Sequence, residues 1–238
     1  MSLQVNQLVA GHGKVPVVRG LDLDVESGKV LALLGPNGAG KSTVMLTLAG
    51  LLPRLGGSVS VNGQELPNGN PGKANSAGLV LVPDNRALFG GLTVAETLTL
   101  SQRKGGVTAD EIPDLFPALT KRWKVKAGAL SGGEQQMLAV ARALVQKPVV
   151  LLIDEMSMGL APVIVEDLLP IVRNIADSTG TAVILVEQHV ALALEVADEA
   201  VVLVHGEVTL RGEAETLTAD SEELRQAYFG SSNQAVMA

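Results

Sequence analysis

The sequence has no cysteine and very few aromatic residues, and both shortages limit what kind of protein it can be. Without cysteine the chain can form neither a disulfide nor a thiolate metal site, which fits a reducing compartment. Aromatic residues make up only 2% of the 238 residues, so Val, Leu, Ile and Ala must fill the core. Such aliphatic residues are typical of buried parallel strands that helices cover on both faces.

Long apolar runs and an excess of positive charge are also missing. The longest apolar stretches, such as 149–153 and 183–186, have the length of a strand, whereas a membrane-spanning helix needs about 18 apolar residues. Residues 1–7 contain neither a basic run nor an apolar segment, so we expect no signal peptide. The net charge of −7 argues against nucleic acid as a partner, because nucleic-acid binders usually present a basic face.

What is present is an alternation of short apolar segments and helical patterns, which favours an α/β fold with a mostly parallel sheet. Buried strands are predicted at 30–34, 78–82, 149–153, 181–186 and 200–204. Helices are predicted at 41–51, 132–146, 162–178 and 190–197. Apolar and polar residues alternate in 3–25 and 57–62, which predicts an antiparallel β region beside the main sheet. Residues 208–211 are predicted to add a late hairpin strand.

The strand pattern disappears between residues 89 and 130. Residues 93–103 and 109–122 are compatible with helix, with interruptions at Gly105, Gly106 and Pro113. We therefore predict a single domain over 1–238 with a small helical subdomain inserted at about 89–130. A polar helical stretch at 213–228 is expected near the end of the chain.

A phosphate-binding loop is predicted directly after the strand at 30–34. Its nine residues match the pattern GxxxxGK[ST] between a strand and a helix, which is the setting that the pattern requires. Glycine lets the backbone turn several N–H groups toward one point, and the following helix adds the positive end of its dipole. Lys41 can reach the β- and γ-phosphates, and the Ser42 hydroxyl can bind Mg²⁺. The predicted nucleotide-binding residues are Gly35, Pro36, Asn37, Gly38, Ala39, Gly40, Lys41, Ser42 and Thr43.

Two adjacent carboxylates, Asp154 and Glu155, follow the apolar strand at 149–153. Open α/β sheets place ligands at the carboxyl ends of their strands, so this pair is expected near the phosphate loop. One carboxylate can face a cation while the other faces a nucleophile. We predict that Asp154 holds Mg²⁺ and that Glu155 orients and deprotonates the attacking water.

Residues 130–136 read LSGGEQQ and open the predicted helix at 132–146. Ser131 is a suitable N-cap, and a capped helix start with accessible amides can also bind an anion. With the phosphate loop and the Asp-Glu pair, this segment resembles the ATP-binding subunits of ABC transporters, whose signature is LSGGQ or LSGGE. The resemblance implies a P-loop NTPase core of the ABC ATPase type. It also implies that Ser131, Gly132, Gly133 and Glu134 contact the γ-phosphate held by another protomer.

Four positions differ from the family pattern. Asp84 stands where most relatives have Gln, and it either contacts Mg²⁺ or is too short to do so. At the switch position Gln188 is expected to contact the γ-phosphate, with His189 beginning the next helix. His12 stands in the place of the aromatic residue that stacks on adenine; it either stacks there or lies in a surface loop. Met156 replaces a Pro and is expected to fill a gap in the core.

Within the family the chain is most similar to ATPase subunits of branched-chain amino acid importers, on segments such as 130–144, 157–165 and 186–189. This resemblance implies ATP and Mg²⁺ as ligands and a homodimer or heterodimer of ATPase subunits. It also implies peripheral attachment to membrane permease subunits on the cytoplasmic side, and an indirect link to a substrate-binding protein. Import of urea or short amides stays open, as does a soluble ABC ATPase acting on a macromolecular machine.

Overall fold

The computed structural model describes residues 2–157, 159–187, 189–217 and 222–229. These residues contain strands β1 (Leu3–His12), β2 (Val15–Val25), β3 (Val30–Leu34), β4 (Gly56–Val61), β5 (Gln64–Glu65), β6 (Leu79–Val82), β7 (Val150–Asp154), β8 (Ala182–Val186), β9 (Glu199–Val204) and β10 (Glu207–Glu213). Their helices are α1 (Lys41–Leu48), α2 (Pro71–Ser76), α3 (Val94–Ser101), α4 (Ile112–Leu115), α5 (Pro117–Thr120), α6 (Gly132–Leu144), α7 (Pro162–Thr179), α8 (Val190–Val196) and α9 (Glu222–Phe229). Among the described helices, none has both the length and the apolar character needed to cross a membrane.

The main sheet has six strands in the order β10-β9-β3-β8-β7-β6. All neighbours pair in parallel except β9 and β10, which form an antiparallel hairpin. This arrangement confirms the predicted mostly parallel sheet and the late hairpin strand. The carboxyl ends of β3, β8, β7 and β6 therefore lie along one edge, and the loops that follow them can share a site.

A second sheet of four strands, in the order β2-β1-β4-β5, is antiparallel throughout. It confirms the β region predicted from the alternating pattern near the N-terminus. Helix α1 contacts both β1 of this sheet and β7 of the main sheet. The phosphate loop, which leads into α1, is thereby held between the two sheets.

The buried residues form two apolar clusters, one on each face of the main sheet. Alternate side chains of β3 separate them: Val30, Ala32 and Leu34 pack with the large helices, whereas Leu31 and Leu33 pack with α1 and the antiparallel sheet. Two-sided burial requires an apolar residue at every position of the strand. The five consecutive aliphatic residues of β3 meet that requirement, since all five are buried.

Residues 109–122, expected to be compatible with helix but interrupted at Pro113, form two single turns, α4 and α5; the expected place of the interruption is wrong, because Pro113 lies within α4. Phe116 separates them with φ −132° and ψ 72°, which lies outside the α region that a residue before proline avoids. Pro117 then starts α5, where its missing N–H costs nothing. The helix predicted at 213–228 is also wrong over its first part, since a short 3-10 turn spans Ala214–Thr216 and α9 begins at Glu222.

Helix α3 lies within the predicted 93–103, and a capping box fixes its start. The Thr93 side chain accepts from the Glu96 N–H at 3.2 Å, and the Glu96 carboxylate accepts from the Thr93 N–H at 2.8 Å. Between β6 and β7 the described chain forms helices, turns and one isolated bridge between Thr93 and Lys126. The division of this part into an inserted helical subdomain stays a prediction.

Candidate functional site

The loop between β3 and α1 has the backbone that phosphate binding requires. Gly35, Gly38 and Gly40 have φ values of +142°, +82° and +107°, which L-residues other than glycine rarely adopt. A Cβ atom on Gly35 would lie 2.0 Å from the carbonyl oxygen of Leu203, at the end of β9. Glycine at this position is therefore needed both for the turn and for the contact with the sheet.

The N-terminus of α1 is open to an anion. Gly40 caps the helix without a side-chain hydrogen bond, and the first turn contains no acidic residue. Its N–H groups and the positive end of the helix dipole are thus not screened by a carboxylate in that turn. This geometry suits the phosphates of a nucleotide.

Lys41 lies in the same loop and is only 4% exposed. Its Nζ donates to the carbonyl oxygens of Gly35 at 2.7 Å and of Pro36 at 3.1 Å. Burial lowers the pKa of Lys41, while the negative charges of Glu155 and Asp154 act in the opposite direction. A cation that is buried with two carbonyl partners can exchange them for phosphate oxygens, which also carry compensating charge.

Asp154 ends β7 and reaches the phosphate loop, as predicted. It is 4% exposed, and its Oδ1 accepts a 3.3 Å hydrogen bond from Ser42 Oγ. The pKa of Asp154 is raised to about 6: burial is the main cause, Glu155 and Asp84 act in the same direction, and Ser42 and Lys41 oppose the shift. A buried carboxylate beside a hydroxyl is a hard oxygen donor set of the kind that Mg²⁺ prefers. Ser42 and Asp154 therefore fit the predicted magnesium site.

Glu155 follows Asp154 and lines a cavity beside the phosphate loop. It has φ +47°, a left-handed conformation that costs a non-glycine residue on the order of 1–3 kcal/mol. Its N–H donates to the carbonyl oxygen of Val186 on β8 at 3.0 Å. The cavity has a volume of about 470 Å³, and its lining residues are His12, Val17, Asn37, Gly38, Gly40, Lys41, Ser42, Thr43 and Glu155.

Asp84 lies in the loop that follows β6, and β6 is the neighbour of β7 in the sheet. It is exposed, and its Oδ1 accepts from the N–H of Asn85 at 2.7 Å. Within the described residues, no three acidic or histidine side chains come close enough together to hold a metal by themselves. Mg²⁺ commonly uses only one or two carboxylates together with phosphates and water. A direct contact from Asp84 to the metal stays a prediction.

His12 lies at the end of β1 and faces the phosphate loop. Its Nε2 is 3.4 Å from the Thr43 hydroxyl, and the exposed ring lines the cavity beside Val17. The ring therefore lies at the edge of the cavity, within reach of an adenine base. Stacking itself is not tested by this geometry and stays a prediction.

The signature segment begins α6 and is not part of the lining of the phosphate-loop cavity. Ser131 and Gly132 are exposed, and Gly133 and Glu134 are partly exposed. Ser131 Oγ accepts from the Glu134 N–H at 3.3 Å, and Glu134 Oε2 accepts from the Ser131 N–H at 2.9 Å, which completes a capping box. Glu134 Oε1 also pairs with Arg122 Nε at 2.6 Å, and this contact lowers the pKa of Glu134.

The switch position cannot be compared in the same way, because Gln188 lies outside the described residues. His189 is exposed and forms the N-cap of α8, as expected for a residue that begins the next helix. Gln188 as the γ-phosphate contact stays a prediction. Met156 is 0% exposed and belongs to the apolar cluster on the helical side, which fits its predicted role as a core filler.

Sequence reasoning missed two groups of polar contacts around the site. Arg86, with φ +63°, donates from Nε to Gln136 Oε1 at 2.9 Å and so ties the loop after β6 to α6. Glu187, at the end of β8, is fully buried and accepts from Ser157 in the loop after Glu155. A carboxylate directly after an apolar strand was a visible signal for Glu187, whereas nothing in the sequence marks the left-handed backbone of Arg86.

Comparison with known proteins agrees with this site. Residues 18–158 match the ABC transporter family. The chain is 36% identical to the high-affinity branched-chain amino acid transport ATP-binding protein BraG of Pseudomonas aeruginosa, over 96% of this chain and 99% of that protein. It is also 36% identical to the probable branched-chain amino acid transport ATP-binding protein LivF of Archaeoglobus fulgidus, over 90% and 93% of the two chains.

Solved structures show the same fold. An ATP-binding subunit of an ABC transporter superposes with a TM-score of 0.77 at 27% identity, covering 91% of each chain. The ADP conformation of the ATP-binding cassette MJ1267 has a TM-score of 0.81, over 96% of this chain and 98% of that one. Its 23% identity supports the fold alone. The phosphate loop, the Asp-Glu pair and the signature helix, together with these relatives, place the chain in the ABC transporter family, as one of its ATP-binding and ATP-hydrolysing subunits.

Proposed function

We propose that the chain binds ATP with Mg²⁺, pairs head to tail with a second ATPase subunit, and drives the uptake of branched-chain amino acids. The observation that carries this proposal is the position of the signature segment. The described residues that line the phosphate-loop cavity include none of 131–134, and Ser131 and Gly132 are exposed. These residues can therefore contact a nucleotide that a neighbouring molecule holds.

Each residue around the cavity has a role in hydrolysis that follows from its position. Lys41 and the amides of the phosphate loop hold the β- and γ-phosphates. Glu155 accepts a proton from the attacking water and orients it toward the γ-phosphate. Ser42 and Asp154 would hold Mg²⁺, with Asp84 as the third proposed ligand. A bound magnesium ion would neutralise charge that develops on the phosphate oxygens.

Pairing follows from the separation of the two glycine-rich segments. If the segment 131–134 of each protomer contacts the nucleotide of the other, two-fold symmetry encloses two nucleotides in one interface. ATP then favours the closed pair because it binds that state more tightly, and hydrolysis removes this preference. The cycle would move permease subunits on the cytoplasmic side of the membrane, to which this chain would bind peripherally. A substrate-binding protein would take part only indirectly, and no nucleic acid is involved.

Complementation between two defective variants tests the pairing. Lys41→Ala removes the phosphate contact, and Gly132→Asp places a negative charge on the exposed signature. Each variant alone should have little ATPase activity. Equal mixing should recover about a quarter of the wild-type rate, because half of randomly formed dimers are mixed and each of these has one complete site. A mixture no more active than its components would contradict head-to-tail pairing of this chain with itself.

Glu155→Gln tests the base. This variant should bind ATP with affinity close to wild type and accumulate as the closed dimer, because only the proton acceptor is lost. Its turnover should fall by at least about 100-fold. Glu166→Gln, the same change at an exposed position of α7, is the matched control and should keep the wild-type rate. Wild-type turnover by Glu155→Gln would remove Glu155 as the base.

The cargo rests on the resemblance to BraG and LivF, since cargo contacts lie on other subunits. Purification from membranes, followed by identification of the chains that accompany the protein, should recover permease subunits. Deletion of the gene should abolish uptake of radiolabelled leucine and leave urea uptake unchanged. Loss of urea uptake alone would favour an importer of urea or short amides, and a soluble protein with no permease would favour a macromolecular machine.

A further inference from the structure

We infer that Glu187 is a positioning residue for the proposed catalytic base, acting through Ser157. The inference rests on the proposed function, because it takes Glu155 as the residue that activates water. Glu187 lies directly after β8, and its side chain is 0% exposed. A fully buried carboxylate is rare in proteins unless specific partners hold it.

The described contacts of Glu187 include two from the same residue of the neighbouring loop. Ser157 N–H donates to Glu187 Oε1 at 2.9 Å, and Ser157 Oγ donates to Glu187 Oε2 at 2.5 Å. Ser157 is itself only 6% exposed. Both oxygens of the carboxylate therefore bind one residue, which fixes the direction of that residue as well as its distance.

The loop that Ser157 belongs to is the loop that carries Glu155. Asp154 is paired with Val186 in the parallel ladder, and the Glu155 N–H then donates to the Val186 carbonyl oxygen. One residue further along β8, Glu187 holds Ser157. The segment from Glu155 to Ser157 is thus fastened to the end of β8 at both of its ends.

Such fastening is needed because Glu155 has a left-handed backbone, with φ +47°. A strained conformation persists only where the surrounding structure over-determines it. Between the two fastened residues, Met156 is fully buried in the apolar cluster and adds a third point of attachment. Without Glu187 the loop would keep its first contact but lose both contacts at Ser157. The Glu155 side chain could then leave the direction that points it into the cavity.

A purely stabilising role for Glu187 predicts a different result from a positioning role. The two contacts of Glu187 described above are both with Ser157, and neither involves the phosphate loop that follows β3. Loss of positioning should therefore lower kcat and leave ATP binding unchanged. Loss of stability alone should reduce the amount of folded protein and leave kcat per folded molecule at the wild-type value.

The test compares three variants with one matched control. In Glu187→Ala both contacts are lost, in Ser157→Ala only the hydroxyl contact is lost, and in Glu187→Gln the amide can still accept from the Ser157 N–H and donate to its hydroxyl. Thr181→Val is the control: Thr181 is 2% exposed and precedes β8 at the opposite end, where its hydroxyl donates to the Pro148 carbonyl oxygen at 3.0 Å. It should lower Tm without changing kcat.

For each variant, kcat and KM for ATP are measured per folded molecule, with Tm and the Kd of a fluorescent ATP analogue. We expect kcat to fall about 10- to 100-fold in Glu187→Ala and several-fold in Ser157→Ala, with Kd within about twofold. Glu187→Gln should return kcat to within about threefold of wild type. Wild-type kcat in Ser157→Ala and Glu187→Ala overturns the inference, as does an equal kcat loss in Thr181→Val.

If Glu187→Ala does not fold, Ser157→Ala decides the question by itself: lower kcat at unchanged Kd supports positioning, and unchanged kcat overturns it. Glu155→Gln, measured beside them, separates the two proposals. If Glu155→Gln loses turnover while the Ser157 and Glu187 variants keep it, the base stands and the positioning role fails. If Glu155→Gln keeps wild-type turnover, Glu155 is not the base, and the positioning role of Glu187 falls with that assignment.

Discussion

Replacing Asp154 by Asn should stabilise the protein in the absence of nucleotide and metal, although it removes a predicted magnesium ligand. Burial raises the pKa of Asp154 from 3.8 to about 6, so the ionised carboxylate is less stable in the folded than in the unfolded chain. The stability that the protonated group contributes is present below pH 3.8. It is lost as the pH rises to about 6. Asn resembles the protonated form at every pH.

The size of the effect follows from linkage. A pKa difference of about two units corresponds to about 3 kcal/mol at pH 7.5, where the carboxylate is ionised in both states, and to about 1.5 kcal/mol at pH 5. Solvent screening through the open side of the cavity reduces these values. We therefore expect Asp154→Asn to raise the free energy of unfolding by about 2 kcal/mol at pH 7.5 and about 1 kcal/mol at pH 5.

Urea unfolding at both pH values, in buffer with EDTA and without nucleotide, measures the difference. Asp167→Asn, an identical change on the exposed face of α7, controls for general charge effects and should change stability by less than about 0.5 kcal/mol. Addition of ATP with Mg²⁺ should stabilise the wild-type protein more than Asp154→Asn. A destabilised Asp154→Asn protein, or a gain that is the same at both pH values, would refute the reasoning.

Three further outcomes are expected. His12→Ala should raise KM for ATP about 5- to 10-fold with little change in kcat, and comparable kinetics in a steady-state assay would remove the stacking role. Arg122→Ala should weaken ATP-dependent dimerisation about 2- to 5-fold at low salt, because the charge of Glu134 is no longer neutralised near the phosphate. Analytical ultracentrifugation should show that dimerisation recovers when Glu134→Gln is added to this variant. Absence of that recovery would contradict a role for the Arg122–Glu134 ion pair at the nucleotide. Gly35→Ala should lower the free energy of unfolding by about 3 kcal/mol or more in urea titrations. The control Gly63→Ala, also at positive φ but in open space, should lower it by about 1 kcal/mol. Equal losses would exclude the steric contact between residue 35 and the Leu203 carbonyl oxygen as the cause.

The parts of the fold that one local pattern determines were predictable from the sequence. Strand β3 has the predicted bounds because five consecutive aliphatic residues between polar or glycine neighbours allow little else. Helix α6 begins at the predicted residue because Ser131 and Glu134 form a capping box that is visible in the sequence. The phosphate loop follows from its glycines and from the strand that precedes it.

The features that the sequence did not predict depend on two residues that compete locally or that lie far apart in the chain. Pro113 and Pro117 both favour a helix start, so residues 109–122 form two turns with the non-helical Phe116 between them, and the break is not at Pro113 as expected. The contact between Glu187 and Ser157 joins residues 30 positions apart, and it depends on β7 and β8 being neighbours in the sheet. The left-handed backbone of Glu155 could not be predicted from residue propensities, because they disfavour that conformation for glutamate.

The exposed signature residues Ser131 and Gly132 also affect how the protein would respond to its own abundance. If two molecules share the catalytic centre, as proposed, it assembles with the square of their concentration, so specific activity should decline on dilution even when every chain is correctly folded. Damaged copies would then interfere with intact ones by occupying their partners, and a cell that made an inactive version in excess would lose transport despite an undamaged gene.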